Sequence, residues 1–293
     1  MTANLASSRE QNNQLASVSP WRQRFKWTVY ALLFFDFILY FIQDAESARY
    51  TLNAHSTLFE YARAYVTSID VAAWFALIIL FELETYVLIG RTWTGGTKWA
   101  VHGLRLLCYV TILHTSFAYD VTLHQFQNPR PLPAAADVCA YTDGDWSFLR
   151  NREYTDLEAG NCSDIGAGPD FYEIGGDAVI TDRAGLREGL ILAWTDLAES
   201  VVWLLVVFVT ELAVRLKRSA FANGAILTLL LHFKVSLYVL ILAIAFYWGS
   251  KQQYFYLWDE LIWVFGFLLI DWNIRDWRSE RPAGPIRPLE YAK

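Results

Sequence analysis

The sequence has few charged residues and no excess of positive charge. Only 18% of its 293 residues are charged, whereas 55% are hydrophobic, and the formal net charge is −6. Binding to nucleic-acid phosphates needs a basic face, so this balance argues against a nucleic-acid partner. The mean hydropathy of +0.23 is too high for a soluble domain of this length. The composition therefore predicts a membrane protein, with the lipid bilayer as its first partner.

Common catalytic motifs are also missing from the sequence. It contains no Gly-x-Ser-x-Gly, no His-Glu-x-x-His, no Gly-rich phosphate loop and no dinucleotide fingerprint. We therefore expect that the protein is not an enzyme and that it carries no cofactor, apart from a haem alternative given below.

The apolar residues are gathered into six runs, which we number as spans one to six. Each run is long enough to cross about 30 Å of hydrocarbon as a helix. The alternation typical of a membrane β-strand is absent from the sequence. The pattern predicts an all-α integral membrane protein with six transmembrane helices, at residues 25–43, 68–90, 98–119, 189–214, 224–248 and 254–274.

Basic residues predict the orientation of these spans. They precede span one, join spans two and three, join spans four and five, and follow span six. With six spans, all four clusters fall on the side that the positive-inside rule assigns to the cytoplasm. We therefore predict a multi-pass protein of the plasma (inner) membrane with both termini cytoplasmic. The basic residues are Arg22, Arg24, Lys26, Arg91, Lys98, Arg215, Lys217, Arg218, Arg275, Arg278, Arg281 and Arg287.

A long acidic segment, 120–188, joins spans three and four and is predicted to lie outside the cytoplasm. Its residues 120–187 carry twelve Asp and Glu residues against five Arg. Cys139 and Cys162 also lie in it, and in an oxidising compartment a disulfide between them would contribute about 3 kcal/mol. The alternative is two free thiols. The predicted order is a polar tail (1–24), three spans (25–119), the acidic loop (120–188), three spans (189–274) and a basic tail (275–293).

An acid–Trp–acid frame recurs in the even-numbered spans. The Trp lies four residues after the first acid, and the second acid lies twelve residues after the first acid. On a helix these positions share about a third of the circumference, with the acids ~18 Å apart along the axis. The frame indicates either acids that line a cation path or polar residues at helix ends. Its members are Asp70, Trp74 and Glu82, then Glu199, Trp203 and Glu211, then Asp259, Trp263 and Asp271.

Several charged residues lie well inside the predicted spans. An ionised side chain there costs about 2.5–3.5 kcal/mol on insertion scales, so each needs a partner. Judged by depth, all of them except Asp36 should share the cytoplasmic half, with acids in excess of bases. We interpret them either as groups that line or gate a cation path or as a salt-bridge cluster that fixes helix packing. The candidates are Asp36, Glu82, Glu84, Arg105, Glu211, Lys234 and Asp271.

The end of span four has an aromatic residue, Phe208, three positions before Glu211, and a base, Arg215, four positions after it. This arrangement resembles the second helix of a voltage-sensing domain in the voltage-gated ion channel superfamily. Span two repeats part of it with Phe81 and Glu84. The resemblance implies that the Phe residues are aromatic plugs and the Glu residues acidic partners of moving charges. The sequence departs from the family in having no helix with a base at every third position and no recognisable filter.

Histidines in two spans raise the alternative of haem. His102 and His232 both lie in the predicted cytoplasmic halves of spans three and five, and could ligate one iron from two sides. The other interpretation is hydrogen bonding between helices or contact with the interface.

Three functional hypotheses follow. The first is a cation channel-like or transporter-like protein, because acids exceed bases inside the spans and the acidic loop would concentrate cations at an entrance. The second is a non-conducting structural or accessory subunit of a membrane complex. The third is a haem-binding electron carrier. A homo-oligomer would turn one acid per chain into a ring.

Overall fold

The computed structural model of the protein describes residues 20–83, 95–133, 138–165, 170–218 and 224–279. Every predicted span falls on a helix where it is described. The elements are α1 Pro20–Thr51, α2 Leu58–Ala64, α3 Val66–Glu82, α4 Gly95–Gln127, β1 Arg130–Pro131, β2 Ser147–Arg150, β3 Glu153–Asp156, α5 Cys162–Ile165, β4 Phe171–Glu173, β5 Val179–Asp182, α6 Arg183–Arg218, α7 Gly224–Ser250 and α8 Tyr254–Ser279.

Within the described residues, four helices are long and apolar enough to cross a membrane: Gln23–Thr51, Gly95–Gln127, Arg183–Ala213 and Gly224–Ser250. A fifth candidate is the pair formed by α2 and α3, which is bent by 74°. The chain is thus mainly helical with apolar helices, as predicted. The sixth predicted span is helical in α8, but this helix is not among the candidates.

The long helices form a closed ring in the described part of the chain. Each one packs against two others in the order α1, α3, α4, α6, α7, α8 and back to α1. Buried apolar side chains from all six helices fill the ring, including Leu33, Ile78, Ile112, Val206 and Ile241. The ring therefore has an interior, and the polar residues that face it share one enclosed space.

The segment between α4 and α6 contains a small sheet, which the sequence analysis missed. Its five described strands lie in the order β1-β4-β5-β2-β3, with only β2 and β5 parallel among these pairs. The strands have two to four residues each, too few to show a clear alternating pattern. The flanking helices are also longer than predicted, because α4 continues to Gln127 and α6 begins at Arg183. We call the residues from Arg130 to Asp182 the outer domain.

A disulfide between Cys139 and Cys162 closes the outer domain, which confirms that prediction. It joins a short 3-10 turn, Val138–Tyr141, to α5. The turn and α5 share a small apolar core with the sheet, built around Phe148, Phe171 and Ile180. A core of this size needs a covalent link to be stable.

Replacing Cys139 and Cys162 together by Ser should destabilise the outer domain by about 3 kcal/mol, because 23 residues separate the two cysteines along the chain. The measurement is the resistance of the outer domain to protease, with and without reductant. Reductant should sensitise the wild type and leave the double variant unchanged. A wild-type protein that keeps its resistance after full reduction, verified by thiol labelling, would contradict the expectation.

Candidate functional site: an acidic cavity inside the helix ring

The charged residues predicted to share the cytoplasmic half do not form one described cluster. Glu211 pairs with Arg215 on its own helix, with Oε1 and Nε 2.8 Å apart. The ammonium group of Lys234 lies over the ring of Tyr238 on its own helix, at 5.6 Å. Arg105 is half-buried on α4. Glu84 and the side chains of Phe81, Glu82 and Asp271 lie outside what the structure describes.

Phe208 and the two histidine candidates are exposed. Phe208 is 62% exposed, so its ring does not fill the centre of the bundle as a plug would. His102 and His232 are both exposed. Nδ1 of His232 lies 2.9 Å from the carbonyl oxygen of Thr228, one turn earlier on α7. These positions give no support to an enclosed haem site.

A different set of acids surrounds a cavity of about 60 Å³ inside the ring. This volume is enough for a few water molecules. The acids come from α3, α6 and α8, and they lie toward the end of the ring that carries the outer domain. They are Asp70, Asp196, Glu199, Asp259 and Glu260.

The tryptophans of the three acid–Trp–acid frames meet beside this cavity. The ring of Trp74 lies 5.6 Å from that of Trp203 and 6.1 Å from that of Trp263, and Phe267 contacts all three rings. The first acid and the Trp of each frame therefore converge on one place from three helices. The first acid and the Trp of each frame are thus part of a single site.

Neutral donors from aromatic and hydroxyl side chains hold the first acids in place. Asp70 accepts hydrogen bonds from Trp74 Nε1 at 3.1 Å and from Thr115 Oγ1 at 2.8 Å. Asp259 accepts one from the hydroxyl of Tyr40 at 2.8 Å. These donors fix the carboxyl groups without cancelling a negative charge.

Two glutamates on facing helices are held by indole groups in the same way. Trp248 Nε1 donates to Glu199 Oε2 at 2.6 Å, and Trp203 Nε1 lies 3.2 Å from Glu260 Oε2. Each of these indoles comes from a different helix than its acceptor. The contacts therefore tie α6, α7 and α8 together around the cavity.

Carboxyl groups also contact one another at two places. Asp36 lies beside Asp259, and Glu199 lies beside Glu260. Asp36 is fully buried, and no N–H or hydroxyl donor among the described residues reaches its oxygens. Asp36 thus has a neighbour that its position in span one did not indicate.

A second, larger cavity of about 210 Å³ lies between the outer domain and the ends of the helices. We call it the outer pocket. It shares four lining residues with the acidic cavity, namely Thr67, Tyr119, Asp196 and Tyr256. The two spaces therefore adjoin.

Arg152, from the turn between β2 and β3, lies where the two spaces meet. Its Nη1 atom donates to both carboxylate oxygens of Asp196, at 2.7 and 2.6 Å. Its guanidinium carbon lies 4.8 Å from the ring centre of Tyr256 and 5.4 Å from that of Trp248. Burial disfavours the charged form and is the largest single influence, but the charge of Asp196, its hydrogen bond and the neighbouring Tyr256 and Tyr119 together outweigh burial and raise the pKa of Arg152 well above its ordinary value.

Part of this site was predictable from the sequence. The acid–Trp–acid frame contains the residues that converge, but depth within the spans favoured the acids at the opposite ends of the same helices, such as Glu82 and Glu211. Nothing in the sequence marks Arg152, because Asn151-Arg152 is not a common turn pair and the strands beside it are short. Asp196 and Glu260 have no repeat that would single them out.

Replacing Thr115 by Val should lower the free energy of unfolding by about 1–3 kcal/mol, because Asp70 then loses one of its two donors in a buried place. Thr111 gives a matched control on the same helix, since its hydroxyl bonds only to the carbonyl oxygen of Leu107 and is exposed. Thermal unfolding of the purified variants in detergent measures the difference. Equal losses in both variants would mean that Asp70 does not depend on this bond.

Comparisons with protein-family models, with curated proteins and with solved structures find no match to this chain.

Proposed function

We propose that the protein is a polytopic membrane protein that binds and moves cations, in the manner of a channel or a transporter. One observation carries the proposal. An acid-lined cavity inside a ring of helices adjoins an outer pocket, and the groups that hold its acids are largely neutral donors. A carboxylate held in this way can replace part of the hydration shell of a cation.

The ring supports the proposed six-span topology. α8 packs against both α7 and α1, which are candidate membrane helices, so it lies at the same depth as they do. The outer domain sits at one end of the ring, and the basic residues Arg24, Lys98 and Arg215 lie toward the other. On the positive-inside rule we assign that other end to the cytoplasmic side of the plasma membrane, and we propose that both termini lie on that side.

The tryptophans beside the cavity suggest how passage is controlled. Trp74, Trp203 and Trp263 are all buried, and they pack together with Phe267 in the middle of the ring. A cation that leaves the acidic cavity toward the cytoplasm has to displace these rings. The proposal is therefore a gated path or an alternating one, which opens when the aromatic cluster moves.

A structural or accessory role is the second candidate, and the hydrogen bonds favour it. The bonds from Thr115 to Asp70 and from Tyr40 to Asp259 join pairs of neighbouring helices. Polar groups that serve only to fix helix packing would also form such bonds. The two candidate functions differ in the effect expected on cation flux when a cavity Glu is replaced by Gln, which has the same shape and no charge.

Replacing Glu260 by Gln should reduce cation flux by about tenfold or more, which corresponds to a barrier higher by about 1.4 kcal/mol. The amide oxygen can still accept the bond from Trp203, so the variant should fold while the cavity loses a carboxyl group. The measurement is sodium and potassium flux into liposomes that contain equal amounts of purified protein.

Glu46→Gln is the matched control, because Glu46 is an exposed acid on α1 and the same change of charge occurs away from the cavity. Its flux should equal that of the wild type. A wild type without flux under several gradients and voltages would contradict transport by this chain alone. Equal flux in the Glu260→Gln variant would contradict a role for the cavity.

A further inference from the structure

We propose that Asp196, Trp248 and Tyr256 form a recognition site for guanidinium-type organic cations, and that Arg152 of the same chain occupies it as a tethered ligand. The role of this site as a control of cation entry rests on the proposed function. Its chemistry does not, because the contacts of Arg152 already show which kind of cation the site accepts.

The three residues match a guanidinium group better than a metal ion. The carboxylate of Asp196 receives two bonds from the guanidinium, and the two aromatic rings lie within cation–π distance. Sodium and other hard cations prefer a shell of oxygen ligands and gain less from aromatic faces. The site therefore selects a planar, weakly hydrated organic cation.

Contacts other than those of Arg152 hold the site in shape. Trp248 is fully buried, and its indole nitrogen is bonded to Glu199 on α6. The hydroxyl of Tyr256 accepts a bond from Gln43 Nε2 on α1 at 3.0 Å, and the two aromatic rings pack at 5.3 Å. The walls of the site should consequently persist when Arg152 leaves it.

The backbone at Arg152 indicates that the side chain is placed there at a cost. Asn151 and Arg152 both have positive φ angles, 48° and 69°, as in the tight turns that usually carry Gly at the second position. A residue with a Cβ atom is strained in the left-handed region, because its Cβ lies too close to the following carbonyl oxygen. The ion pair and the aromatic contacts offset this cost, because a Gly at the same position would make none of them.

The rest of the turn is held by contacts that do not involve the Arg152 side chain. Gln253 Nε2 donates to the carbonyl oxygen of Asn151 at 2.8 Å, and the rings of Tyr154 and Tyr50 stack at 4.9 Å. Removal of the guanidinium should therefore leave the turn docked but with fewer contacts, so that its amides exchange faster. Since Asp196 and Tyr256 line both spaces, an occupant of the site stands between the outer pocket and the acidic cavity.

Arg152→Gly is the central variant, because Gly adopts the positive φ without strain and removes only the tethered cation. The purified variant is titrated with methylguanidinium, and the readouts are tryptophan fluorescence and the unfolding temperature. We expect saturable binding with a rise in the unfolding temperature. Methylammonium, which is more strongly hydrated and has no planar group to stack on the two rings, should bind at least about tenfold more weakly.

The double variant Arg152→Gly with Asp196→Asn tests the carboxylate, and its affinity for methylguanidinium should fall by about tenfold or more. A response to methylguanidinium that equals the response to methylammonium would overturn the proposal. An affinity unchanged by the loss of the Asp196 charge would also overturn it.

The wild type provides a test that needs no folded variant. Methylguanidinium at about 100 mM competes with a tether whose effective concentration is in the millimolar range. Hydrogen exchange of the amides in residues 147–156 should then be faster than in sodium chloride of equal ionic strength. Equal exchange in the two salts would contradict displacement of Arg152. These readouts measure binding alone, so their failure is distinct from a failure of cation flux.

Discussion

A carboxyl group inside an apolar bundle must find a donor for each of its oxygens, and most of the polar structure of this protein follows from that constraint. Indole and hydroxyl groups supply donors for Asp70, Asp259 and Glu260, whereas Asp36 lies beside a second carboxyl group. Because most of the donors come from other helices, the bonds that hold the acids also tie the helices of the ring together.

Arg152 solves the same problem in a different way at the entrance. Asp196 pairs with the positive charge of Arg152. Arg152 belongs to the outer domain, at the end of the helix ring opposite to the basic residues. The disulfide and the small sheet position the turn that carries this charge. The outer domain therefore contributes to the site directly and is more than an acidic loop that attracts cations. Asp196 is thus paired with a basic residue, whereas the described contacts of Asp70, Glu199 and Glu260 include none.

The sequence predicts the helices well because long apolar runs leave few alternatives to a helix. The acid–Trp–acid frame also pointed to Asp70 and Trp74 as members of one face. It could not show which end of each frame converges, since that depends on how three separate helices pack. Glu211 was favoured by depth and by a local motif, yet the structure pairs it with the base one turn away. Arg152 was invisible because its partners lie in distant segments, and only the fold brings a turn of the outer domain to α6.

The central claim is that the acidic cavity is reached by cations from the side of the outer domain. Ser200 lines this cavity, and Ser200→Cys in a background with Cys108→Ala gives a single free thiol beside the acids, since the other cysteines are bonded. Ag⁺, a soft monovalent cation that binds thiolates, is applied to one face or the other of sealed vesicles. Later labelling of the thiol under denaturing conditions reports the reaction. The account predicts fast reaction from the face that carries the outer domain, slowed by excess sodium. Reaction only from the opposite face, or from neither face, would contradict it.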